Sequence, residues 1–317
     1  MSMNWRGVIP AITTPFQADL SVDHAALAQK CRRLADAGCT GVVALGSLGE
    51  GATLEPEEKR AILATCAEAL DGRIPVVAGI SALSTAQAAA LARQAEAAGC
   101  RGLMALPPYV YRGDWREMKA HMAAMLEATA LPAMLYNNPI AYGTDFLPEQ
   151  IAELAAEFPQ LQAVKESSGD ARRVAAIRAL AGERLSLLVG MDDCILEGIG
   201  VGAQGWVAGL ANALPQESVA LFEAASQGRP EAFELYRWFL PLLRLDTTPK
   251  FVQLIKLVEA MCGTGPARVR PPRLELAGAE LEATRQLIAA ALAARPKLRP
   301  RDTAAGNRAA QPAAVRS

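Results

Sequence analysis

The feature that most constrains the fold of this chain is a regular alternation of short apolar runs with longer helical patterns. Eight such runs begin at intervals of about 20–35 residues, the length that a strand, two loops and a helix require. They start near Val8, Gly41, Pro75, Gly102, Ala133, Leu161, Leu185 and Gly205. Strict alternation over eight strands predicts an α/β fold, a closed (β/α)8 TIM barrel, in preference to an open doubly wound sheet, which usually has fewer repeats.

The chain beyond the eighth run changes character twice. The last barrel helix is predicted to begin near Pro215, and further helical patterns follow it. We therefore predict a catalytic barrel over residues 1–225 and a C-terminal helical extension over residues 226–295. Residues 296–317 combine Pro, Ala, Arg and Gly without periodicity, and this composition predicts a disordered tail.

Charge and composition exclude several classes of function. The 32 basic and 33 acidic residues leave a formal net charge of -1, so the chain lacks the field that captures nucleic acid or an anionic membrane surface. No run of about 18 uncharged apolar residues appears, and the N-terminus lacks the pattern of a signal peptide, so we expect no transmembrane helix. The six cysteines form no Cys-x-x-Cys pair, which indicates reduced thiols and a cytoplasmic protein.

Metal ions and nucleotide cofactors are not expected either. Two histidines, His24 and His121, argue against a multi-histidine metal centre. Residues 200–205 match G-x-G-x-x-G, but a dinucleotide site needs these glycines after a strand and before a helix. Here they follow a helical pattern and precede the eighth strand, so we interpret them as the turn between the two.

One lysine occupies an unusual place in the pattern. Six of the seven lysines fall on polar-facing helices, loops or the tail, at positions 30, 59, 119, 250, 256 and 297. Lys165 instead ends the apolar run 161–165, at the carboxyl end of predicted strand six, where barrel enzymes carry their active sites. A low-dielectric setting lowers the pKa of a lysine, and the neutral amine can attack a carbonyl carbon. The alternative is a lysine that pairs with Glu166 at the rim.

Two further strand ends bear groups that suit the same chemistry. Strand five ends near Tyr136, whose hydroxyl could pass protons, although a lone tyrosine there is more often a packed side chain with a wet tip. Strand two runs into the turn 46–50, where glycines expose backbone N–H groups to a carboxylate and Ser47 adds a hydroxyl. Alone, this is an ordinary loop. Together, the three strand ends predict a site for a 2-oxo acid, with the substrate carboxylate bound by the turn and the keto carbon next to Lys165.

These motifs resemble those of the dihydrodipicolinate synthase/N-acetylneuraminate lyase family of class I aldolases. The matching segments are 7–16, 46–50, Tyr136-Asn137 before Pro139, 164–170 and 190–192, and the resemblance covers roughly residues 5–295. It implies a barrel with a C-terminal helical domain, assembled as a homotetramer. It also implies Lys165 as the Schiff-base lysine, Tyr136 as the proton shuttle and Ser47 as the hydroxyl that joins the tyrosine relay.

The resemblance further implies the groups that bind the substrate, a small 2-oxo or cyclic imino acid. The backbone of Ser47 and Leu48 would hold its carboxylate, and Gly190 and Val207 would line the pocket with main-chain groups. Asn138 is placed with these substrate-binding residues. The resemblance implies no metal and no cofactor.

Three departures separate this chain from dihydrodipicolinate synthase itself. The second hydroxyl of the family turn is replaced by Leu48, and the arginine that follows Tyr-Asn-x-Pro is absent from residues 139–142. The relay tyrosine that a neighbouring subunit donates is replaced by Val110, with Tyr109 or Tyr111 as candidates to compensate. A lost carboxylate partner weakens binding of the synthase's aldehyde substrate, so these departures point away from lysine biosynthesis.

Segments 135–143 and 236–243 resemble a subgroup linked to hydroxyproline breakdown, the 1-pyrroline-4-hydroxy-2-carboxylate deaminases. We therefore expect a Schiff-base lyase that dehydrates and deaminates this substrate. The alternatives are an aldolase or dehydratase of a hydroxy-2-oxo acid, and 4-hydroxy-tetrahydrodipicolinate synthase. From a different class, the chain could be a non-catalytic sensor of 2-oxo acids, because fold alone does not determine function.

Overall fold

A single sheet of eight parallel strands forms the core of the protein, for which a computed structural model describes residues 3–298. The strands run in the order β1-β8-β7-β6-β5-β4-β3-β2, so each pairs with its neighbour in sequence and β1 pairs with β8. All eight predicted strands are confirmed. Their bounds are β1 (Gly7–Val8), β2 (Val42–Ala44), β3 (Val76–Ile80), β4 (Gly102–Ala105), β5 (Ala133–Asn137), β6 (Leu161–Glu166), β7 (Ser186–Val189) and β8 (Gly205–Trp206).

The sheet closes on itself between its first two strands. Ala11, just beyond β1, forms a parallel bridge with Val43 of β2. Ile12 N donates to Val43 O at 2.9 Å, and Val43 N donates to Pro10 O at 2.8 Å. Because every strand is parallel, all carboxyl ends gather at one mouth of the barrel, which is where active sites of such barrels lie. The predicted (β/α)8 fold with a C-terminal helical extension is confirmed.

Helices follow the strands and cover the outside of the barrel with their apolar faces. Local signals set their ends: Asp23 Oδ1 accepts a hydrogen bond from Ala26 N at 2.9 Å at the start of the first helix, and Gly38 takes a φ of +95° just after its end. The barrel helices are α1 (His24–Asp36), α2 (Pro56–Leu70), α3 (Thr85–Ala97), α4 (Trp115–Glu127), α5 (Pro139–Tyr142), α6 (Pro148–Glu157), α7 (Arg172–Ala181), α8 (Ile195–Gly200) and α9 (Pro215–Ser226).

The glycine-rich segment 200–205 lies where the sequence places it. Helix α8 ends at Gly200 and β8 begins at Gly205, so these glycines form a helix-to-strand turn. A dinucleotide fingerprint requires the opposite order.

The C-terminal segment contributes α10 (Glu231–Leu243), a 3₁₀ turn (Arg244–Thr247), α11 (Phe251–Met261) and α12 (Gly278–Ala293). The division of the chain into a barrel and a helical domain stays a prediction. The predicted tail lies outside the described residues apart from 296–298. Within 3–298, no helix is both long and apolar enough to cross a bilayer.

Two buried ion pairs join the C-terminal segment to the barrel, and they correct the sequence-based placement of two lysines. Lys256 on α11 lies 2.5 Å from Glu50 of the loop after β2, and Lys30 on α1 lies 2.7 Å from Glu259 of α11. The expectation that Lys30 and Lys256 lie on polar-facing surfaces is wrong, since both are buried. Each aliphatic stem packs in the core while a carboxylate neutralises the ammonium, a partner that local periodicity does not reveal.

Candidate active site

Lys165 lies inside the barrel at the carboxyl end of β6 and is 6% exposed. The next residue, Glu166, is directed away from it, because successive side chains of a strand point to opposite faces. Glu166 accepts hydrogen bonds from Asn137 Nδ2 at 3.1 Å and from Ser168 N at 2.7 Å. The alternative in which Lys165 pairs with Glu166 is therefore wrong.

Tyr136 lies directly beside Lys165. The two residues are paired in the register of β5 and β6, and Lys165 Nζ lies 4.0 Å from the centroid of the Tyr136 ring. Burial lowers the pKa of Lys165, whereas the carboxylates of Asp246 and Asp192 and the Tyr142 hydroxyl raise it. Burial raises the pKa of Tyr136, which keeps its phenol protonated. The pair thus combines a lysine biased toward its nucleophilic form with a buried proton carrier.

Asn138 contacts Tyr136 and the first turn of α5. Its Nδ2 donates to Tyr136 Oη at 3.0 Å, and its Oδ1 accepts from Ala141 N at 3.0 Å. Both ends of the amide are therefore engaged within the chain. Asn138, which the resemblance places with the substrate-binding residues, here holds the Tyr136 hydroxyl and caps the short helix that follows.

Tyr142, at the end of α5, is a site residue that sequence reasoning missed. Its Oη contacts Ser47 Oγ across the mouth of the barrel. Its ring lies edge to face with that of Tyr136, with centroids 5.6 Å apart and an interplanar angle of 83°. Hydrogen bonding to Tyr142 also lowers the pKa of Tyr136. The structure thus brings the hydroxyls of Ser47, Tyr142 and Tyr136 together.

Tyr109 and Tyr111, the two tyrosines that the sequence offers in place of the relay tyrosine missing at Val110, have no recorded contact with Ser47 or Tyr136 in the described residues. Tyr111, in the loop after β4, is 56% exposed, and its hydroxyl donates to Glu117 of α4 at 2.9 Å. Tyr109 is half-buried, and Val110 itself is largely exposed. The sequence signal for Tyr142 is its position in segment 135–143, a few residues after the carboxyl end of β5.

The turn after β2 lies at the carboxyl end of that strand. Leu45 and Glu50 flank it with φ of +64° and +55°, in the left-handed region that side chains other than glycine rarely adopt. Glu50 N donates to Ser47 O at 3.1 Å and holds the turn closed. Within residues 3–298, the amides of Ser47 and Leu48 donate to no other protein group. Two such amides on a strained turn suit a carboxylate.

Gly190 follows β7 and lies against the stem of Lys165. A Cβ at this position would be 2.6 Å from Lys165 Cε and 2.0 Å from Ser167 Oγ, so only glycine leaves room for both side chains. Val207 follows β8 and is buried, and its N–H donates to Val189 O at 2.9 Å. The backbone amide of Val207 is therefore occupied, and only its carbonyl could meet a ligand.

Asp192, in the loop after β7, is a buried carboxylate held by the next strand. It accepts from Trp206 Nε1 at 2.9 Å, Gly209 N at 3.1 Å and Leu210 N at 2.8 Å. Burial nevertheless raises the pKa of Asp192 to about 6. With its oxygens engaged, Asp192 fixes the loops after β7 and β8 beside the mouth.

Asp246 reaches the mouth from the C-terminal segment. A Cβ on Gly209 would lie 2.1 Å from Asp246 Oδ1, so this carboxylate packs directly on the loop after β8. Asp246 is also the strongest of the negative charges that act on Lys165. Sequence reasoning missed it because it lies outside the barrel, beyond the last strand. In the described part of the chain, no group of three or more His, Cys, Asp or Glu side chains could hold a metal ion.

Comparison with known proteins agrees with the resemblance seen in the motifs. The model of the dihydrodipicolinate synthetase family matches residues 4–291. A 4-hydroxy-tetrahydrodipicolinate synthase of Methanopyrus kandleri is 33% identical over 277 residues, covering 87% of this chain and 92% of the relative.

Two solved structures share the whole fold. The 4-hydroxy-tetrahydrodipicolinate synthase of Methylacidiphilum fumariolicum SolV has a TM-score of 0.86 at 29% identity, covering 91% of this chain and 97% of its own. YagE, a prophage protein of the dihydrodipicolinic acid synthase family from E. coli K12 in complex with pyruvate, has a TM-score of 0.86 at 26% identity, covering 92% and 99%.

Proposed function

Because the chain belongs to the dihydrodipicolinate synthetase family, we propose that it is a Schiff-base lyase whose Lys165 amine attacks the keto carbon of a small 2-oxo acid. The observation that supports this most directly is the buried Lys165 Nζ, 4.0 Å above the Tyr136 ring at the carboxyl end of β6. An ammonium cannot attack a carbonyl, so a setting that lowers the pKa of the lysine favours the reactive form. The site needs no metal and no cofactor for this chemistry.

The first steps use three groups of the chain. The amides of Ser47 and Leu48 hold the substrate carboxylate, which directs C2 toward Lys165 Nζ. The amine forms a bond to C2, and Tyr136 protonates the former keto oxygen, which then leaves as water. The resulting Schiff base withdraws electrons from C2, so a base can take a proton from C3 and leave an enamine.

The names of the relatives favour one fate for this enamine, condensation with an aldehyde to give 4-hydroxy-tetrahydrodipicolinate. In that reaction C3 attacks the aldehyde carbon, and the aldehyde oxygen takes up a proton. These comparisons support the synthase, first considered as an alternative, better than the deaminase expected from the subgroup segments.

Deamination of 1-pyrroline-4-hydroxy-2-carboxylate is a second candidate, favoured by the charges at the mouth. The segment 139–142 lacks the arginine that the resemblance implies for the aldehyde substrate of the synthase, and the carboxylate of Asp246 acts on Lys165. The Arg112 guanidinium packs against Gly143 just after this segment, so the argument for a substrate with a cationic nitrogen depends on the carboxylate of Asp246.

The deamination balances as follows. Lys165 adds to the cyclic C=N bond, and the ring opens to a Schiff base with a free amine at C5. Tyr136 takes the C3 proton, and the C4 hydroxyl leaves as water. Loss of a proton from C5 and return of a proton to C3 move the double bond to C4–C5, and this enamine becomes a C5 imine when C4 is protonated and the nitrogen loses a proton. Hydrolysis of the C5 imine releases ammonia, and hydrolysis of the lysine Schiff base releases 2-oxoglutarate semialdehyde.

Borohydride trapping tests the shared step. With pyruvate and borohydride, the chain should gain a covalent mass at Lys165, located by peptide mass spectrometry. The Lys165→Arg variant should gain none and should lose all turnover, because its guanidinium stays protonated. A folded wild-type chain without an adduct would exclude every Schiff-base reaction and favour the non-catalytic sensor.

A pair of assays separates the two candidate reactions. The synthase should consume pyruvate together with aspartate semialdehyde, whereas the deaminase should release ammonia from 1-pyrroline-4-hydroxy-2-carboxylate. Tyr136→Phe should slow whichever reaction occurs by about 10²–10⁴-fold, the scale of one acid–base group. An adduct without either product leaves aldol cleavage or dehydration of a hydroxy-2-oxo acid as the reaction.

The homotetramer and the cytoplasmic location belong to the same proposal. Large apolar side chains are exposed on the loops after three neighbouring strands, β3, β4 and β5: Leu83, Val110, Tyr111 and Ile140. Exposed apolar surface of this kind marks protein–protein contacts and supports self-assembly through this side of the barrel mouth.

A further inference from the structure

The hydroxyl of Tyr136 is buried, which raises the question of how protons reach it. Tyr136 is 6% exposed, and one of its partners, Asn138 Nδ2, is an amide that does not pass protons. Each cycle of the proposed function requires Tyr136 to give a proton to the departing oxygen and to regain one. The neighbouring Ser167 hydroxyl is itself fully buried, so a hydroxyl closer to solvent is needed to connect Tyr136 with water.

Tyr142 and Ser47 provide such a connection. Both residues are partly exposed, their hydroxyls are in contact, and Tyr142 packs edge to face on Tyr136. Hydrogen bonding to Ser47 lowers the pKa of Tyr142, and hydrogen bonding to Tyr142 lowers that of Tyr136. A donor to a phenol oxygen has this effect because it stabilises the phenolate. Either oxygen of the Ser47–Tyr142 contact can be the donor, so a proton can pass along the three hydroxyls in either direction.

We propose that Tyr142 is the proton-transfer residue that links buried Tyr136 to Ser47 and to solvent, within one chain. When Tyr136 gives its proton to the departing oxygen, Tyr142 supplies the next one, Ser47 replaces that of Tyr142, and water replaces that of Ser47. The sequence runs in reverse when Tyr136 accepts a proton from C3. Tyr142 acts through Tyr136 and needs no contact with the substrate.

The test uses exchange of the pyruvate methyl protons with deuterated solvent, which rests on the proposed function but requires no second substrate. Tyr142→Phe keeps the ring that packs on Tyr136 and removes only the hydroxyl. Tyr111→Phe is the matched control, because Tyr111 lies in the loop after β4 and its hydroxyl bonds to Glu117. Exchange is followed by NMR, and the Lys165 adduct is measured in parallel by borohydride trapping.

We expect Tyr142→Phe to slow exchange by about 10–100-fold, below the range for a group that itself touches the reacting atoms. The amount of adduct at equilibrium should stay within about two-fold of wild type, because a relay changes rates and not equilibria. Tyr111→Phe should exchange at the wild-type rate. Adding Ser47→Ala to Tyr142→Phe should slow exchange no further, because both hydroxyls act in one series.

Rescue by a small buffer separates a relay from a merely structural role. Imidazole should accelerate exchange in Tyr142→Phe in proportion to its concentration and should leave the wild type unchanged, since only a broken relay needs an outside proton carrier. If Tyr142→Phe exchanges protons at the wild-type rate, the relay proposal is overturned. It is also overturned if the variant exchanges slowly and imidazole does not restore the rate. Absence of an adduct in the wild type overturns the proposed function itself.

Discussion

At the scale of single residues, the reactive end of Lys165 depends on what its neighbours leave out. Glu166 forms no ion pair with Lys165, because its carboxylate bonds to Asn137 instead. The aliphatic stem of Lys165 packs on Gly190, where any larger residue would collide with it. The carboxylates that act on it come from the loop after β7 and from the C-terminal segment. Substitutions at Gly190 should therefore change the position of the Lys165 amine, whereas substitutions at Asp246 should change its pKa.

Replacing Gly190 should disturb the position of Lys165. In Gly190→Ala the new methyl group would lie within 3 Å of Lys165 Cε and Ser167 Oγ, so the lysine must move. We expect the rate of adduct formation with pyruvate to fall by about 10-fold or more, since displacement of a reacting group by about 1 Å can cost about 10² in rate. Gly200→Ala is the control, because a Cβ there meets nothing within 4 Å. Equal rates in the two variants would contradict the crowding argument.

Replacing Asp246 should shift the pH dependence without displacing the amine. Burial and the neighbouring Asp192 raise the pKa of Asp246 well above its usual value, and in its ionised form Asp246 stabilises the Lys165 ammonium and so raises the pKa of Lys165. Asp246→Asn removes this charge, lowers that pKa further, and increases the neutral fraction at a given pH. The rising limb of adduct formation against pH should move to lower pH by about 0.5–1 pH unit, equivalent to about 1 kcal/mol.

Asp170→Asn is the control for this shift, because Asp170 is a partly exposed carboxyl that pairs with Arg172. Its profile should coincide with that of the wild type. If the rising limb of the pH profile of adduct formation stays in place or moves to higher pH in Asp246→Asn, Asp246 does not act on Lys165 as a charge.

At the scale of elements, α11 is attached to the barrel by charge as well as by apolar packing. Lys256 and Lys30 meet carboxylates that are distant in sequence, and their side chains are almost fully buried. Breaking such a pair leaves a buried charge without compensation, which costs more than the pair itself contributes. The short α5 has a comparable role at the mouth, since Asn138 caps it and Tyr142 ends it.

Lys256→Met should destabilise the protein strongly. The variant removes the 2.5 Å partner of buried Glu50 and leaves it only Arg273 at 3.8 Å and the Arg270 amide, so the free energy of unfolding should fall by about 3 kcal/mol in urea titration. Lys250→Met removes a pair with Glu280 of the same 2.5 Å length, but on the surface, and should cost at most about 1 kcal/mol. Similar losses in the two variants would contradict a special contribution from burial. Adding Glu50→Gln to Lys256→Met should restore part of the loss.

The sequence predicted the elements well because their signals are local. The spacing of the apolar runs located all eight strands, and the order of Gly200 and Gly205 excluded a nucleotide site. Lys165 and Tyr136 could be predicted as site residues for the same reason, since each lies at the end of a strand and the strand ends of a parallel barrel converge. Contacts between segments that are distant in sequence could not be predicted. The burial of Lys256 and the position of Asp246 at the barrel mouth both depend on how the C-terminal helices pack on the barrel.

At the scale of the whole molecule, the C-terminal segment and the barrel form one functional unit. The segment is fixed by the buried pairs on α11, and the turn between α10 and α11 places Asp246 at the mouth. The exposed apolar side chains after β3, β4 and β5 border the same mouth. Assembly through them would place the sites of neighbouring copies close together.

Charged substitutions on this surface should disrupt assembly. A Val110→Asp/Ile140→Asp double variant would place carboxylates where the proposed contacts exclude water, so sedimentation velocity should show a smaller species than the wild type. Leu274→Asp, at an equally exposed apolar residue of the C-terminal segment, should keep the wild-type mass. An unchanged mass in the double variant would show that copies meet elsewhere.

The contact between Ser47 and Tyr142 has a consequence for genetics. A relay shared between subunits would let one defective allele inactivate the normal copies that assemble with it. A relay contained in a single polypeptide confines the damage to the mutant copy. In a cell that expresses both forms, activity should then follow the fraction of normal subunits in direct proportion, and loss-of-function alleles at these two positions should be recessive.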